Sequence, residues 1–193
     1  MDCESIRMNK VLELFSSLGY MDENNCEIVV YGLQRVKNLA IDILITILCG
    51  LVMKNLVVSL LFELAFISLR IYAGGYHAQK EKTCRIISLV SSVGSIAVII
   101  YLPVLLILQN FMVMISLVCI VFFSPVESRN KPLSNMEKKV FRRRSIVIAL
   151  IEGVAYLILV IRGFEVHSKA IGIAVLIIAI GLLLEKGKGK CVF

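Results

Sequence analysis

Residues 39–69 read LAIDILITILCGLVMKNLVVSLLFELAFISL, a run in which Asp42, Lys54 and Glu63 are the only charged side chains. At about 1.5 Å per residue, a single helix of that length overshoots a hydrocarbon core of about 30 Å. The run must therefore divide. Lys54-Asn55 predicts a tight hairpin between two apolar segments, 39–53 and 56–69.

Four further apolar segments follow at 86–108, 111–123, 146–161 and 170–184. Most are shorter than the about 20 residues of a full span, so each is extended by its flanks, tilted in a thinned bilayer, or re-entrant. Pro103 interrupts the third, where Gly94 and Ser91-Ser92 permit close helix approach. The composition agrees: 59% hydrophobic and 18% charged residues, with a mean hydropathy of +0.89, leave too few polar groups to cover a soluble domain. The expected fold is an all-α, polytopic integral membrane protein of about six short transmembrane or re-entrant helices. Four spans plus re-entrant pieces is the alternative count.

Ahead of the bundle, Val11, Leu14, Phe15 and Leu18 recur at i, i+3, i+4 and i+7 while Arg7, Lys10 and Glu13 take other faces. This predicts an N-terminal amphipathic helix over 4–18, an interfacial anchor or a docking surface for a partner helix. A second interfacial or entering helix is expected over 26–38. The whole chain, 1–193, is expected to be one membrane domain: interfacial helices to 38, a bundle over 39–184 and a tail from 185. The first twenty residues lack the layout of a cleavable signal, with Asp2, Glu4 and Glu13 inside them, so the N-terminus is expected to be retained. Six scattered cysteines, two of them within apolar segments, predict no disulfides.

Lysines and arginines number four in residues 1–38, four in 70–85, seven in 127–144 and three in 186–190, leaving only Lys54, Arg162 and Lys169 elsewhere. For six spans that is a pronounced one-sided excess, which marks the cytoplasmic face of a cell membrane. Both termini and residues 70–85 are expected there. The net charge of +7 then reads as an orientation signal, which sets nucleic acid aside as a partner. The basic run Lys138-Lys139-Val140-Phe141-Arg142-Arg143-Arg144 fits lipid headgroups, or a clamp for an acidic peptide.

Between the apolar runs lies a polar island, Arg70-Ile71-Tyr72-Ala73-Gly74-Gly75-Tyr76-His77-Ala78-Gln79-Lys80-Glu81-Lys82-Thr83-Cys84-Arg85. A histidine and a cysteine among cations are the parts of a cysteine nucleophile with its base. On one continuous helix they would stand about 10.5 Å apart along the axis, whereas thiol and base meet at about 3 Å. The segment is therefore expected to bend at Gly74-Gly75, folding His77 back over a helix that begins near Thr83. Cys84 would lie in its first turn, where the helix dipole, Lys80, Lys82, Arg85 and an imidazolium all favour thiolate over thiol. Zinc fits less well, because the only other histidine, His167, is expected on the opposite face, and no cofactor or metal is expected.

The island resembles the accessory gene regulator protein B (AgrB) family of quorum-sensing membrane endopeptidases, in an Arg-x-x-x-Gly-Gly-x-His-Ala-x-x-x-x-x-Cys form carried by Arg70, Gly74, Gly75, His77, Ala78 and Cys84. Gly32-x-Gln34 and the loop with Pro125 and Asn130-Lys131-Pro132 are similar to family segments in the same order, so the resemblance covers roughly residues 20–150. It implies His77 and Cys84 as the catalytic pair of a cysteine endopeptidase. Such an enzyme cleaves a short autoinducer (AgrD-type) propeptide, with an amphipathic leader and an acidic tail, near its C-terminal end. It holds the remainder as a thioester and passes it to a cysteine or serine of the peptide, making a cyclic thiolactone or lactone. Gln34 is a candidate oxyanion donor, and Arg70 a candidate to bind a peptide carboxylate or orient the loop.

The acids Asp42, Glu63 and Glu152 fall inside apolar segments, where charge is rare and tied to function or pairing. Glu63, seven residues before Arg70 on one helical face, is expected to pair with a neighbouring basic residue. The competing class is a small non-enzymatic transporter or peptide-export component whose buried acids line a pathway. Homodimerisation is compatible with so small a bundle, and no residue demands it.

Overall fold

The computed structural model describes residues 26–74, 81–126 and 134–190. They form six helices: α1 (Cys26–Val52), α2 (Leu56–Ala73), α3 (Glu81–Tyr101), α4 (Leu106–Phe123), α5 (Asn135–Ile161) and α6 (Glu165–Lys190). No strand occurs among the described residues. The expected amphipathic helix over 4–18 lies outside them. α2, α4, α5 and the Glu165–Gly187 part of α6 are long and apolar enough to cross a membrane, and Ile86–Tyr101 of α3 is a shorter apolar helix. The protein is all-α and polytopic, as the apolar segments predict.

Two compact units are distinguished, Met1–Leu44 and Ile45–Phe193. The described part of the first is the opening of α1, where Val30 is buried and Val36, Leu39 and Leu44 are exposed. Residues 26–38, expected as an interfacial or entering helix, run on without a break into the first apolar segment.

In the second unit the hairpin at Lys54-Asn55 is present. Lys54 takes φ 55°, the Asn55 N–H donates to the Gly50 carbonyl at 2.9 Å and the Lys54 N–H to Leu51 at 3.1 Å. That is the Schellman pattern, which satisfies carbonyls a helix end leaves orphaned. The same pattern recurs after α5: Gly163 takes φ 76°, Phe164 donates to Leu159 at 2.9 Å and Gly163 to Val160 at 3.0 Å. Glycine makes the left-handed turn easy at the second site. A lysine adopts it at the first.

Three segment boundaries differ from expectation, each for a local reason. The segment 86–108 is not one interrupted helix: α3 ends at Tyr101 and Leu106–Leu108 belong to α4. Pro103 has no N–H to donate and disfavours helical backbone in Leu102. The segment expected at 146–161 begins at Asn135. Ser134 Oγ accepts from the Glu137 N–H while a Glu137 carboxylate oxygen accepts from the Ser134 N–H at 2.8 Å, a capping box that starts the helix before the basic run. Arg142, Arg143 and Arg144 are therefore helical. The last segment, expected at 170–184, is extended at both ends by α6.

α6 is the centre of the second unit. Ala170 and Ala174 pack with Val58, Phe62 and Ala65 of α2 and Ile96 and Ile99 of α3. On its other side Ile171, Val175, Ile178 and Leu182 pack with Leu69, Val113, Ile120, Ala149 and Tyr156. α4 is the reverse case, with Ile107, Phe111, Met114, Ile115 and Phe122 all exposed, as befits a lipid-facing wall. Close approach to α6 depends on Gly172, where an added Cβ would stand 2.9 Å from Val113 Cγ2 and 3.4 Å from Tyr156 Cε2.

Polar side chains tie the same helices together. Along α5 the buried stripe is Ser145, Ala149, Glu152 and Tyr156. Ser145 meets the Ser124 hydroxyl, Glu152 hydrogen-bonds with Ser68, and Tyr156 donates to Asn110 and accepts from Gln109. Gln109 also donates to Ser168 of α6. On α2, Glu63 accepts from Thr46 at 2.8 Å, a hydroxyl partner that the expected pairing with a base did not include.

Gly172→Val is expected to lower stability by about 1–3 kcal/mol through overpacking. Gly94→Val, at a position with nothing within 4 Å of an added Cβ, should change it by less than half as much. Thermal unfolding of the two variants in detergent compares them directly.

Candidate functional site

The second unit has two distinguishable ends. Ile96 and Ile99, late in α3, pack with Val58 and Phe62, early in α2, so these helices run antiparallel. Lys169 Nζ, early in α6, donates to the Leu102 carbonyl just past α3 at 3.1 Å. That end holds Lys54, Arg162 and Lys169. The other gathers the C-terminal turns of α2 and α4, the starts of α3 and α5 and the last turns of α6. Its cations include Arg70, Arg142, Arg143, Arg144 and Lys186, so among the described residues of this unit the cations are unevenly divided between its two ends.

At the basic end, α2 stops at Ala73 and Gly74 turns away with φ 83° and ψ −148°. Only glycine occupies that region without strain. The Val126 N–H donates to the Ala73 carbonyl at 3.2 Å, and a Cβ on Gly74 would lie 2.7 Å from the Val126 carbonyl oxygen. The first glycine of the island thus packs directly on the loop that follows α4, whose Ser124–Pro125 peptide is cis. The two stretches are far apart in sequence.

Two residues before Gly74, Tyr72 is held between two residues of α5. Phe141 meets its ring edge-on, with centroids 5.9 Å apart, and the Arg144 guanidinium lies 5.4 Å from its centroid. Lys186 of α6 similarly stands 4.1 Å from the ring centroid of Phe123. Aromatic faces attract cations, so part of the basic cluster has fixed positions. The Ser145 hydroxyl lies 3.0 Å from the Arg142 carbonyl within α5 and also meets Ser124, which joins the loop after α4 to α5.

Arg70 stands half-buried in the last turn of α2, and the backbone of Cys84 lies in the first turn of α3, at this same end. α2 ends at Gly74, the first of the two glycines at which the bend is expected, and α3 runs from Glu81, where a start near Thr83 is expected; the expected fold-back of His77 lies outside the described residues. Gln34 sits half-buried in the part of α1 belonging to the first unit. Gly75, His77 and Ala78 lie outside the described residues, as do Asn130 to Pro132. Among the described residues no group of three or more histidine, cysteine, aspartate or glutamate side chains is arranged to hold a metal.

The Tyr72, Phe141 and Arg144 cluster and the Ser124–Ser145 contact have no signal in the sequence, because each joins residues from different elements. The Ser134-x-x-Glu137 spacing does carry one: it marks a helix start ahead of the arginines.

These features define a small polytopic helical membrane protein with a basic, loop-bearing end. The chain belongs to the accessory gene regulator B family, whose family model matches residues 8–185. That family is linked to processing in the accessory gene regulator system. An AgrB-like protein of Clostridium perfringens strain 13 is 29% identical in an alignment 137 positions long that covers 64% of this chain and 61% of the relative. An AgrB-like protein of Lactiplantibacillus plantarum is 28% identical over 133 residues, 68% of this chain and 66% of the relative. Both are named by likeness alone, and the matched stretch spans less than two thirds of either. No solved structure matches.

Gly74→Ala is expected to cost about 1–3 kcal/mol, since a side chain must adopt glycine-only backbone against the Val126 carbonyl. Amide hydrogen exchange at Val126 should accelerate correspondingly, because its partner on Ala73 is displaced.

Proposed function

We propose that the chain is a membrane cysteine endopeptidase that cleaves an autoinducer propeptide near its C-terminal end and cyclises the product. The observation that carries this reading is the break at Gly74. α2 ends there and a new helix opens at Glu81, so Cys84 falls in a first turn at the bundle end that holds Arg70 and the cations of α5. A first turn favours the thiolate, as do nearby cations.

In this mechanism the Cys84 thiolate attacks the carbonyl carbon of the scissile bond. The carbon–nitrogen bond breaks as the His77 imidazolium gives its proton to the departing amine, leaving a thioester on Cys84 and a neutral His77. A cysteine thiol or serine hydroxyl of the bound peptide then loses its proton to His77 and attacks the thioester carbonyl. The Cys84 thiolate leaves as the ring closes. A thioester is less stable than the amide it replaces, so loss of the cleaved tail and closure of the ring draw the sequence forward. Closure competes with water through the effective concentration of the internal nucleophile. Gln34 is assigned as an oxyanion donor and Arg70 as a residue that orients the loop or binds a carboxylate.

The substrate is a propeptide with an amphipathic leader that lies on the membrane and an acidic tail. Arg142, Arg143 and Arg144 suit that tail, and anionic lipid headgroups as well. The basic end faces the cytoplasm, where both termini also lie and a reducing compartment keeps thiols free.

Co-expression with a candidate propeptide tests the chemistry. Wild type should process it, and Cys84→Ala and His77→Ala should lose processing and accumulate substrate, read by gel shift and mass spectrometry. Equal processing in all three would overturn the mechanism, and unaltered function in Cys84→Ser would favour a transporter. For sidedness, an impermeant maleimide added to intact cells should label Lys54→Cys and leave Lys139→Cys unlabelled; the reverse pattern would invert the topology.

A further inference from the structure

Glu152 is a described group whose environment the peptidase reading does not use. It stands within the apolar part of α5, is 7% exposed, and its Oε1 lies 2.7 Å from Ser68 Oγ on α2. Its Oε2 is buried with no hydrogen-bond partner. Among the described residues no lysine, arginine or histidine forms an ion pair with it.

Among the described residues, the helices packed against it offer no cation that pairs with it. α4 has no charged residue over Leu106–Phe123, and α6 none between Lys169 and Glu185. α2 contributes Glu63, which accepts from Thr46, and Arg70, in its last turn. An ionised carboxylate here would be a buried charge with one full oxygen unsatisfied, the arrangement that protein interiors and bilayers penalise most.

Ser68 Oγ lies within hydrogen-bond distance of both Glu152 Oε1 and the Ala65 carbonyl, at 2.7 and 3.0 Å. With a proton on Oε1, Glu152 can donate to Ser68 while the Ser68 hydroxyl turns to the Ala65 carbonyl. Oε2 is then the carbonyl oxygen of a neutral acid, whose lack of a partner costs far less than a carboxylate's.

We propose that Glu152 is a proton-binding site inside the membrane span, occupied in the folded protein, and that the bound proton joins α5 to α2 through Ser68. A metal cation in its place would find Oε2 with no second oxygen completing its shell, whereas a proton needs the single acceptor that Ser68 supplies. The join lies six residues before Gly74, about 9 Å along α2, so it fixes the rotation of the helix that delivers Arg70 and Gly74 to the basic end.

The test needs no peptide and so stands apart from the chemistry at Cys84. Infrared difference spectra of purified wild type and Glu152→Gln in lipid should show a neutral carboxylic acid carbonyl stretch in the wild type that the variant lacks. Loss of a carboxylate band instead would overturn the proposal. Should Glu152→Gln fail to fold, wild type alone decides it. A hydrophobic carbodiimide, which couples to protonated acids in apolar surroundings, should leave an adduct mapped to Glu152 by mass spectrometry, and an unmodified Glu152 would overturn the proposal.

Discussion

A peptide group in hydrocarbon keeps its hydrogen-bond partner within its own helix, because no water is present to replace it. Every break in a helix must then be either sealed or moved to the edge of the bilayer. The breaks in this protein obey that rule. Lys54 and Gly163 turn in Schellman geometry that recovers the last carbonyls of α1 and α5, and Ser134 with Glu137 seals the start of α5. Pro103, which cannot donate at all, ends α3 beyond Tyr101. Gly74 ends α2 against the Val126 backbone, which donates to Ala73.

Within the bundle the lipid supplies no hydrophobic drive for helices to associate, so small residues and shared polar contacts take that role. α6 illustrates the first, with Ala170, Ala174 and Gly172 letting α2, α3 and α4 approach its backbone. α5 illustrates the second: Ser145, Glu152 and Tyr156 stand on one stripe, and each finds a different partner. The stripe needs no ion pair. Its groups meet hydroxyls and side-chain amides, which suits a medium where separated charge is expensive, and Glu152 Oε2 alone of the stripe's side-chain oxygens is left without a partner.

The basic end gathers features that are distant along the chain. Gly74 belongs to the island and Val126 to the loop after α4, yet a methyl group on one would collide with the carbonyl of the other. Tyr72, Phe141 and Arg144 brace the end of α2 from the side. For the proposed chemistry, in which a thioester is held while a peptide closes into a ring, such cross-bracing would serve both positioning and exclusion of water.

Hydropathy and charge are properties of each residue in turn, so a linear reading of the chain carries the helical class, the hairpin at Lys54-Asn55, the one-sided excess of cations and the break after Ala73. The ends expected for the third and fifth segments differ from α3 and α5 because apolar runs mark where lipid is, whereas helices start and stop at caps and prolines. The Ser134-x-x-Glu137 box is legible as such a cap. The candidate pair His77 and Cys84 comes from residue type and spacing together with family resemblance, and the structure adds the backbone frame on which Cys84 stands. Contacts such as Gly74 with Val126, Tyr72 with Arg144 and Ser68 with Glu152 are decided by tertiary structure alone. Each depends on which faces of separate helices meet, and that is set by packing around α6, which no local stretch of sequence encodes.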